Sequence, residues 1–359
     1  MDTPYVYTAM SQEPEPSRRR SPLALLCALA LLASPIPAIA FGAQGHEVIG
    51  AIADRLLNPH ATGQVKHLLG MKLQVVSTWA DCVKDVGPDT NGLRYVPEPR
   101  HHRACGAFED AAGIARMEDY VRRNWSTCVA AGGQAGACHK TYHYADVAIQ
   151  RSHYDRAYAG TSDHDIVSAL RAAIDVLQDR RAPAPFSIKD QREALLMLAH
   201  FVGDVHQPLH VGSIYLDGDG HAVDPDAGAQ PADPNPSTTT RGGNSIDVGS
   251  TDLHAEWDQV PASLRPSSIS AKMQAAARAI PANPGDVDGW PAAWASETLI
   301  VARAAYAGIK FSAQKASTGH WTAIFDDGAA YRLSKHQLQN EQLTRAGARL
   351  AQALNEIWP

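Results

Sequence analysis

Apolar residues recur at helical spacing in five stretches of the chain, roughly His46 to Leu57, Asp163 to Gln178, Gln191 to Val205, Pro291 to Ile309 and Lys335 to Ile357. Start signals support two of them. Ser187 lies just ahead of the run that begins near Lys189, and Thr161, Ser162 and Asp163 precede the second stretch; such side chains accept from the free N–H groups of a first turn. No alternating apolar and polar pattern of comparable length competes, so the fold class predicted is mainly α, in one domain spanning residues 41–359. Between Asp217 and Gly243 the composition shifts to Asp, Pro, Gly, Thr and Ala, a mixture that cannot bury apolar surface and predicts a long loop excursion, 217–243. Asp217-Gly218-Asp219-Gly220 lacks the remaining ligand positions of a calcium loop and is read as ordinary loop.

The N-terminal pattern is different. Arg18, Arg19 and Arg20 precede an apolar run from Leu23 to Leu32, and Ala38-Ile39-Ala40 follows as a small-residue cleavage site. Residues 1–40 read as a signal peptide, too short in its apolar part for a membrane span, so the expectation is an exported chain beginning at Phe41, periplasmic or extracellular, with no stable membrane association. A monomer is expected. The leader carries three acids and three arginines, so the formal charge of -6 is unchanged by its removal. An acidic balance argues against binding nucleic acid by a broad basic surface and directs attention to bound metal ions as the local positive source.

Of five cysteines, Cys27 leaves with the leader. Cys82, Cys105, Cys128 and Cys138 remain, and an oxidising compartment predicts two disulfides. Three pairings are possible; proximity along the chain favours Cys82 with Cys105 and Cys128 with Cys138. A four-thiolate zinc site is the less favoured alternative, because the paired short spacings are absent.

The densest chemistry is HFVGDVHQPLH, His200 to His210, at the end of an apolar run containing Leu195, Leu196, Leu198 and Ala199. His200 and Asp204 are four residues apart, which on a helix stacks an imidazole and a carboxylate on one face, able to grip one metal ion. Pro208 then ends the helix and His210 returns from another direction, with Asp204 free to bridge two ions. DLHAEWD repeats the spacing with His254 and Asp258. Weaker pieces are Thr78-Trp79-Ala80-Asp81 and Thr141-Tyr142-His143-Tyr144-Ala145-Asp146. A terminal amine at Phe41 beside its own carbonyl is a chelating pair, with His46 close in sequence.

Taken in order, these residues resemble the zinc-dependent single-strand-specific nucleases of fungi and plants (type I nucleases), with a more distant likeness to zinc-dependent phospholipase C. The matching pieces are GxxGH at Gly42 to His46, WAD at Trp79 to Asp81, YHYAD at Tyr142 to Asp146, HFVGDVHQPLH, GGN at Gly242 to Asn244, LHAEWD and a closing helix, across nearly the whole mature chain. The resemblance implies the multi-helix fold of that group and three Zn2+ per chain. One would be held by Asp81, His143, His200 and Asp204; a second by the Phe41 main chain, His46 and Asp204; a third by His210, His254 and Asp258. It also implies Asp81, Lys84 and Asp204 as catalytic residues, and Tyr144, Asp146 and Asn244 as substrate contacts. The chain departs from the family pattern at Phe41, where Trp is usual, at Lys84, where Arg is usual, and at Tyr144, where Phe is frequent. Lysine keeps the charge but not the two-pronged guanidinium geometry.

The activity implied is hydrolysis of single-stranded DNA and RNA to nucleoside 5'-monophosphates, with removal of terminal 3'-phosphates. Alternatives are a zinc-dependent phospholipase C or general phosphodiesterase, and an exported zinc-binding protein without catalysis. His206 matches no ligand and is read as a supporting or helix-terminal residue; His101, His102, His139, His153 and His336 show no ligand spacing and are read as surface residues. Asn124-Trp125-Ser126 is a glycosylation sequence only in a eukaryotic host.

Overall fold

The computed structural model describes residues 41–128, 137–228 and 237–359; the predicted leader, 1–40, lies outside the described residues. Thirteen α-helices, with a few short tight helical turns, account for about half of these residues, and the strands are two to five residues long. The mainly α expectation holds.

The helix Gln191–Asp204 runs through the middle. Asp190 starts it by accepting from the Glu193 N–H, a closer cap than Ser187, and every residue from Glu193 to Asp204 is buried. Burying each of Leu195, Leu196 and Leu198 contributes about 1.5–3 kcal/mol. Around it pack Gly42–Ala53, Ile166–Leu177 and Gly328–Ile357. Glu193 is a carboxylate in this core, and the Arg123 guanidinium meets it at 2.6 Å, the partner a buried charge requires. Gly42–Ala53 and Gly328–Ile357 approach so closely that a Cβ at Gly347 would lie 2.6 Å from Ile52 Cβ.

All five predicted helices form, with shifted ends. The first is Gly42–Ala53, the second Ile166–Leu177 under an Asp165 cap, the fourth Trp290–Tyr306 and the last Gly328–Ile357. The last starts seven residues earlier than predicted because Asp327 caps an exposed first turn, where Leu333 faces solvent and leaves no apolar period to read. Ile309 belongs to a strand, not to the helix predicted to reach it.

A second core forms around Trp257, Trp321 and Tyr306 beside a four-stranded sheet, in the order Thr251–Asp252, Ile246–Val248, Trp321–Phe325, Ile309–Phe311. Trp321–Phe325 runs parallel to Ile246–Val248 and antiparallel to Ile309–Phe311. This sheet fixes the segment that carries His254. Within the predicted excursion 217–243, Ala222–Val223 pairs antiparallel with Tyr215–Leu216 and Thr239 bridges Tyr215, so its flanks are tied to the body; residues 229–236 lie outside the described residues. Both disulfides form the pairs that proximity favoured, Cys82–Cys105 and Cys128–Cys138.

Asn124 is fully buried, its amide donating to Tyr120 O and Ser187 O, so it is inaccessible for glycosylation. Among the described residues no helix is long and apolar enough to cross a membrane.

Candidate metal centre

The end of the central helix delivers His200 and Asp204, and the first helix delivers His46 onto the same spot. His46 reaches it because residue 203 is glycine: a Cβ there would stand 2.7 Å from His46 Nδ1. Asp204 faces two directions. Its Oδ1 lies 3.2 Å from His46 Nε2, and its Oδ2 lies 2.8 Å from His143 Nδ1 and 3.1 Å from His200 Nε2. Asp81, from the short helix Trp79–Cys82, completes this side with Oδ1 3.6 Å from His200 Nε2.

Pro208 ends the helix and opens the turn Pro208–Val211, where the Gln207 side chain accepts from Leu209 N and swings His210 inward. The short helix Leu253–Asp258, capped by Asp252, brings His254 and Asp258 to meet it. Three groups of side chains are thereby close enough to share an ion: His46, His200 and Asp204; Asp81, His143 and His200; and His210, His254 and Asp258, all buried.

The proton positions follow from what the rings touch. His200 Nδ1 is 2.7 Å from Ser77 O, His210 Nδ1 is 2.6 Å from His143 O, and His254 Nδ1 is 2.8 Å from Gly242 O. A carbonyl only accepts, so each Nδ1 carries a proton, and burial, which takes His210 down to about 3, leaves the His210 Nε2 with a lone pair. His210 Nε2 and His254 Nε2 face each other at 3.1 Å, and with both rings neutral neither has a proton to place between them. Two acceptors in a dry site repel unless a cation lies between them, and ligand nitrogens about 2.0–2.1 Å from a tetrahedral zinc are separated by about this distance. Other buried atoms here have no hydrogen-bond partner: both His46 nitrogens, His143 Nε2, Asp81 Oδ2, Asp204 Oδ1 and Asp258 Oδ2. The donor set fits metal ions.

Burial pushes the Asp81 carboxyl up, but Lys84, His200, His46 and His143 outweigh it and hold it at about 2. Lys84 Nζ donates to Asp81 Oδ1 at 2.7 Å. Burial, then His200, keeps His46 below the ordinary histidine value; burial, then Lys84, does the same for His143; and burial takes His210 down to about 3. Neutral imidazole is the form that binds a metal. Asp258 is pushed up to about 7, by burial first, against His254 and Gln207.

Phe41 is fully buried in a left-handed conformation, its ring part of the main core, so the aromatic position is packed although it is not Trp. Its nitrogen donates to Asp258 Oδ1 at 3.1 Å and its carbonyl accepts from Gly45 N. Its main chain is thus anchored on the Asp258 side of the cluster.

His143, His210 and His254 border a cavity of about 290 Å3, whose walls include Lys84, Tyr144 and Asp146. Tyr144 is 39% exposed and so is available to a ligand. Asp146 is pushed up to about 6 by burial, against His254 and Arg241. Asn244 also borders the cavity, but its Nδ2 donates to Arg241 O at 2.8 Å, so its amide holds the turn. Of the histidines read as unmatched, His206 supports the site: its Nδ1 donates to Val202 O, its Nε2 accepts from Arg349, and its carbonyl accepts from Gln342. His139 is not a surface residue; it is fully buried beside Trp125 and burial, then Lys140 and Lys84, holds it at about 3. Sequence reasoning missed Gln207, whose Nε2 orients Asp258 at 2.8 Å, and the cavity residues Lys140 and Arg241. Gln207 sits inside the central motif, a signal that was present; the other two belong to no motif.

The sequence model of the S1/P1 nuclease family matches residues 41–131 and 108–359. The chain belongs to the S1/P1 nuclease family. Its curated relatives include Endonuclease 4 of Arabidopsis thaliana, 25% identical over an alignment of 347 positions that covers 89% of this chain and 90% of that protein. Endonuclease 5 and Endonuclease 2 of the same plant are 24% and 25% identical, each over 89% of this chain and 91% and 90% of theirs. As an S1/P1 nuclease the chain is a hydrolase of phosphodiester bonds, and two of its three His/Asp groups reach the cavity, through His143 and through His210 and His254.

Proposed function

We propose that this S1/P1 nuclease is an exported, zinc-dependent enzyme that hydrolyses single-stranded DNA and RNA to nucleoside 5'-monophosphates and also removes terminal 3'-phosphates. The observation that carries the reading is the facing pair of His210 and His254 Nε2 atoms, 3.1 Å apart in a buried site, with the Nδ1 of each ring already donating to a carbonyl. Asp81, His143, His200 and Asp204 would hold one ion. His46, Asp204 and the Phe41 main chain would hold the second, once cleavage after Ala40 frees the Phe41 amine. His210, His254 and Asp258 would hold the third. Bound zinc supplies Lewis acidity and a water of lowered pKa.

The chain's own groups set the rest of the reaction. Lys84, anchored on Asp81 Oδ1, neutralises charge that builds on the non-bridging phosphate oxygens, and Asp81 orients the attacking water. Breaking the bond to the 3' oxygen leaves phosphate on the 5' side. Tyr144 offers a stacking face and Asp146 a carboxylate for the base edge; Asn244 supports them by holding the turn. A base reaches this cavity only when it is unstacked from duplex neighbours, which gives the preference for single strands. The two disulfides agree with an oxidising compartment outside the cytoplasm.

The test is to incubate the mature protein with single-stranded DNA, RNA, duplex DNA and phosphatidylcholine, with and without chelator, and to identify products. Chelator-sensitive release of 5'-mononucleotides from single strands is expected. Phosphocholine release without strand cleavage, or cleavage indifferent to chelator, would overturn the reading.

A further inference from the structure

Two cations at the cavity belong to none of the motifs. Lys140 lies in the tight helical turn Cys138–His143, three residues before His143, and Arg241 precedes the Gly-Gly-Asn turn. Both border the cavity together with Lys84. Lys84 is paired with Asp81, whereas among the described residues neither Lys140 nor Arg241 forms an ion pair with a carboxylate. Both are exposed. In a chain of net charge -6, unpaired cations gathered at one opening are a feature of that opening rather than of the surface at large.

The backbone at Arg241 is unusual. Its φ is +52°, and Gly242 and Gly243 follow at +57° and +90°, three left-handed residues in a row. A residue with a Cβ is strained there by about 1–2 kcal/mol, where a glycine is not. The conformation is held by Asn244, whose backbone and side-chain nitrogens both donate to Arg241 O, by Thr239 Oγ1 accepting from Arg241 N, and by Arg241 Nε donating to Ser245 Oγ at 3.3 Å. The turn thus presents an arginine at a position whose backbone favours glycine. Its charge acts on Tyr144 and Asp146, opposing the upward push of burial on both. Lys140 is held below the ordinary lysine value, by burial first and then by the charge of Lys84. Two ammonium groups that repel each other beside an open cavity are relieved by an anion.

We propose that Lys140 and Arg241 bind the phosphates flanking the scissile one, so that the site grips a run of several nucleotides. The inference rests on the single-strand reading above and deepens it: Lys84 serves the bond that is cut, while Lys140 and Arg241 serve its neighbours.

The experiment compares Lys140→Gln and Arg241→Asn with the zinc-loaded wild type on two substrates, a thymidine dinucleotide with a single phosphate and an oligothymidylate of about ten nucleotides. Asparagine tolerates the left-handed backbone at 241. For each variant the loss of kcat/KM on the oligonucleotide exceeds the loss on the dinucleotide by about fivefold or more, and lies mainly in KM. The slope of log kcat/KM against log salt concentration on the oligonucleotide falls by about 0.7 for each contact removed. Arg241→Lys, which keeps the charge, recovers much of the oligonucleotide rate. Equal losses on both substrates, or an unchanged salt slope, would overturn this proposal alone. A wild type that cuts neither substrate would overturn the single-strand reading, and this inference with it.

Discussion

Replacing Gly203 by alanine tests whether the His46 position is fixed by the central helix. On an exposed helix the change would stabilise by about 0.8–1.0 kcal/mol. Here the new Cβ would stand 2.7 Å from His46 Nδ1, 2.8 Å from His46 Cε1 and 3.0 Å from Ile49 Cδ1, where ordinary contact begins at 3.4 Å. The imidazole must therefore withdraw by 3.4 less 2.7, about 0.7 Å. Ligand distances in metal sites tolerate about 0.2 Å, so His46 is lost as a ligand. Overpacking costs about 1–3 kcal/mol, which the helix gain partly offsets, so the protein still folds. Zinc content after dialysis should fall by one equivalent, and kcat/KM on single-stranded DNA should fall about 100-fold, the loss that misplacement on this scale produces. Elemental analysis and steady-state kinetics on the same sample read both. A variant with full zinc content and kcat/KM within threefold of wild type would refute the reasoning.

Other perturbations reach different parts of the account. Tyr144→Ala should raise KM for an oligonucleotide by about 5- to 150-fold, the equivalent of 1–3 kcal/mol of stacking, with a smaller change in kcat; an unchanged KM would remove Tyr144 from the base site. His139 is held at about 3 in the folded protein by burial, then by Lys140 and Lys84, against about 6.5 when unfolded. The unfolded chain therefore binds the extra proton, so the contribution of this group to stability is complete above pH 6.5 and is lost as pH falls from 6.5 toward 3, at up to about 1.4 kcal/mol per pH unit. Urea unfolding of wild type and His139→Phe between pH 7 and pH 4 should show a shallower decline in the variant, and parallel curves would contradict this. Replacing Cys82 and Cys105 together by serine opens a crosslink with a sequence separation of 23, for which chain entropy gives about 3.4 kcal/mol. A loss below about 1 kcal/mol in urea unfolding would count against that figure.

What the sequence discloses of this molecule follows the range of the interaction concerned. His200 with Asp204, and His254 with Asp258, are local pairs set by helical spacing, so the pattern reveals them directly. The central helix was legible because its apolar run is continuous. The helix Pro59–Leu69 carries its own signals, Asn58 as cap, Pro59 at the first position and Gly70 after the end, yet only Ala61, Val65 and Leu69 are buried and the apolar period is faint. Strands as short as Ile246–Val248 fall below any window in which alternation can be read. Contacts made across the chain were not legible: Phe41 N on Asp258 spans 217 residues, and the burial of His139 depends on a packing that no spacing encodes. Lys140 and Arg241 escaped for the same reason, since the edge of a cavity is assembled by turns rather than by periodic faces.

The central claim is that the three His/Asp groups act as one zinc centre and that hydrolysis depends on it. The most direct measurement is to strip the mature chain with chelator, titrate zinc back, and follow bound metal together with release of 5'-mononucleotides from single-stranded DNA. The account predicts three equivalents bound, no turnover in the stripped protein, and full turnover only as the third equivalent is taken up. Full activity in the stripped protein, or saturation at a single equivalent, would contradict it.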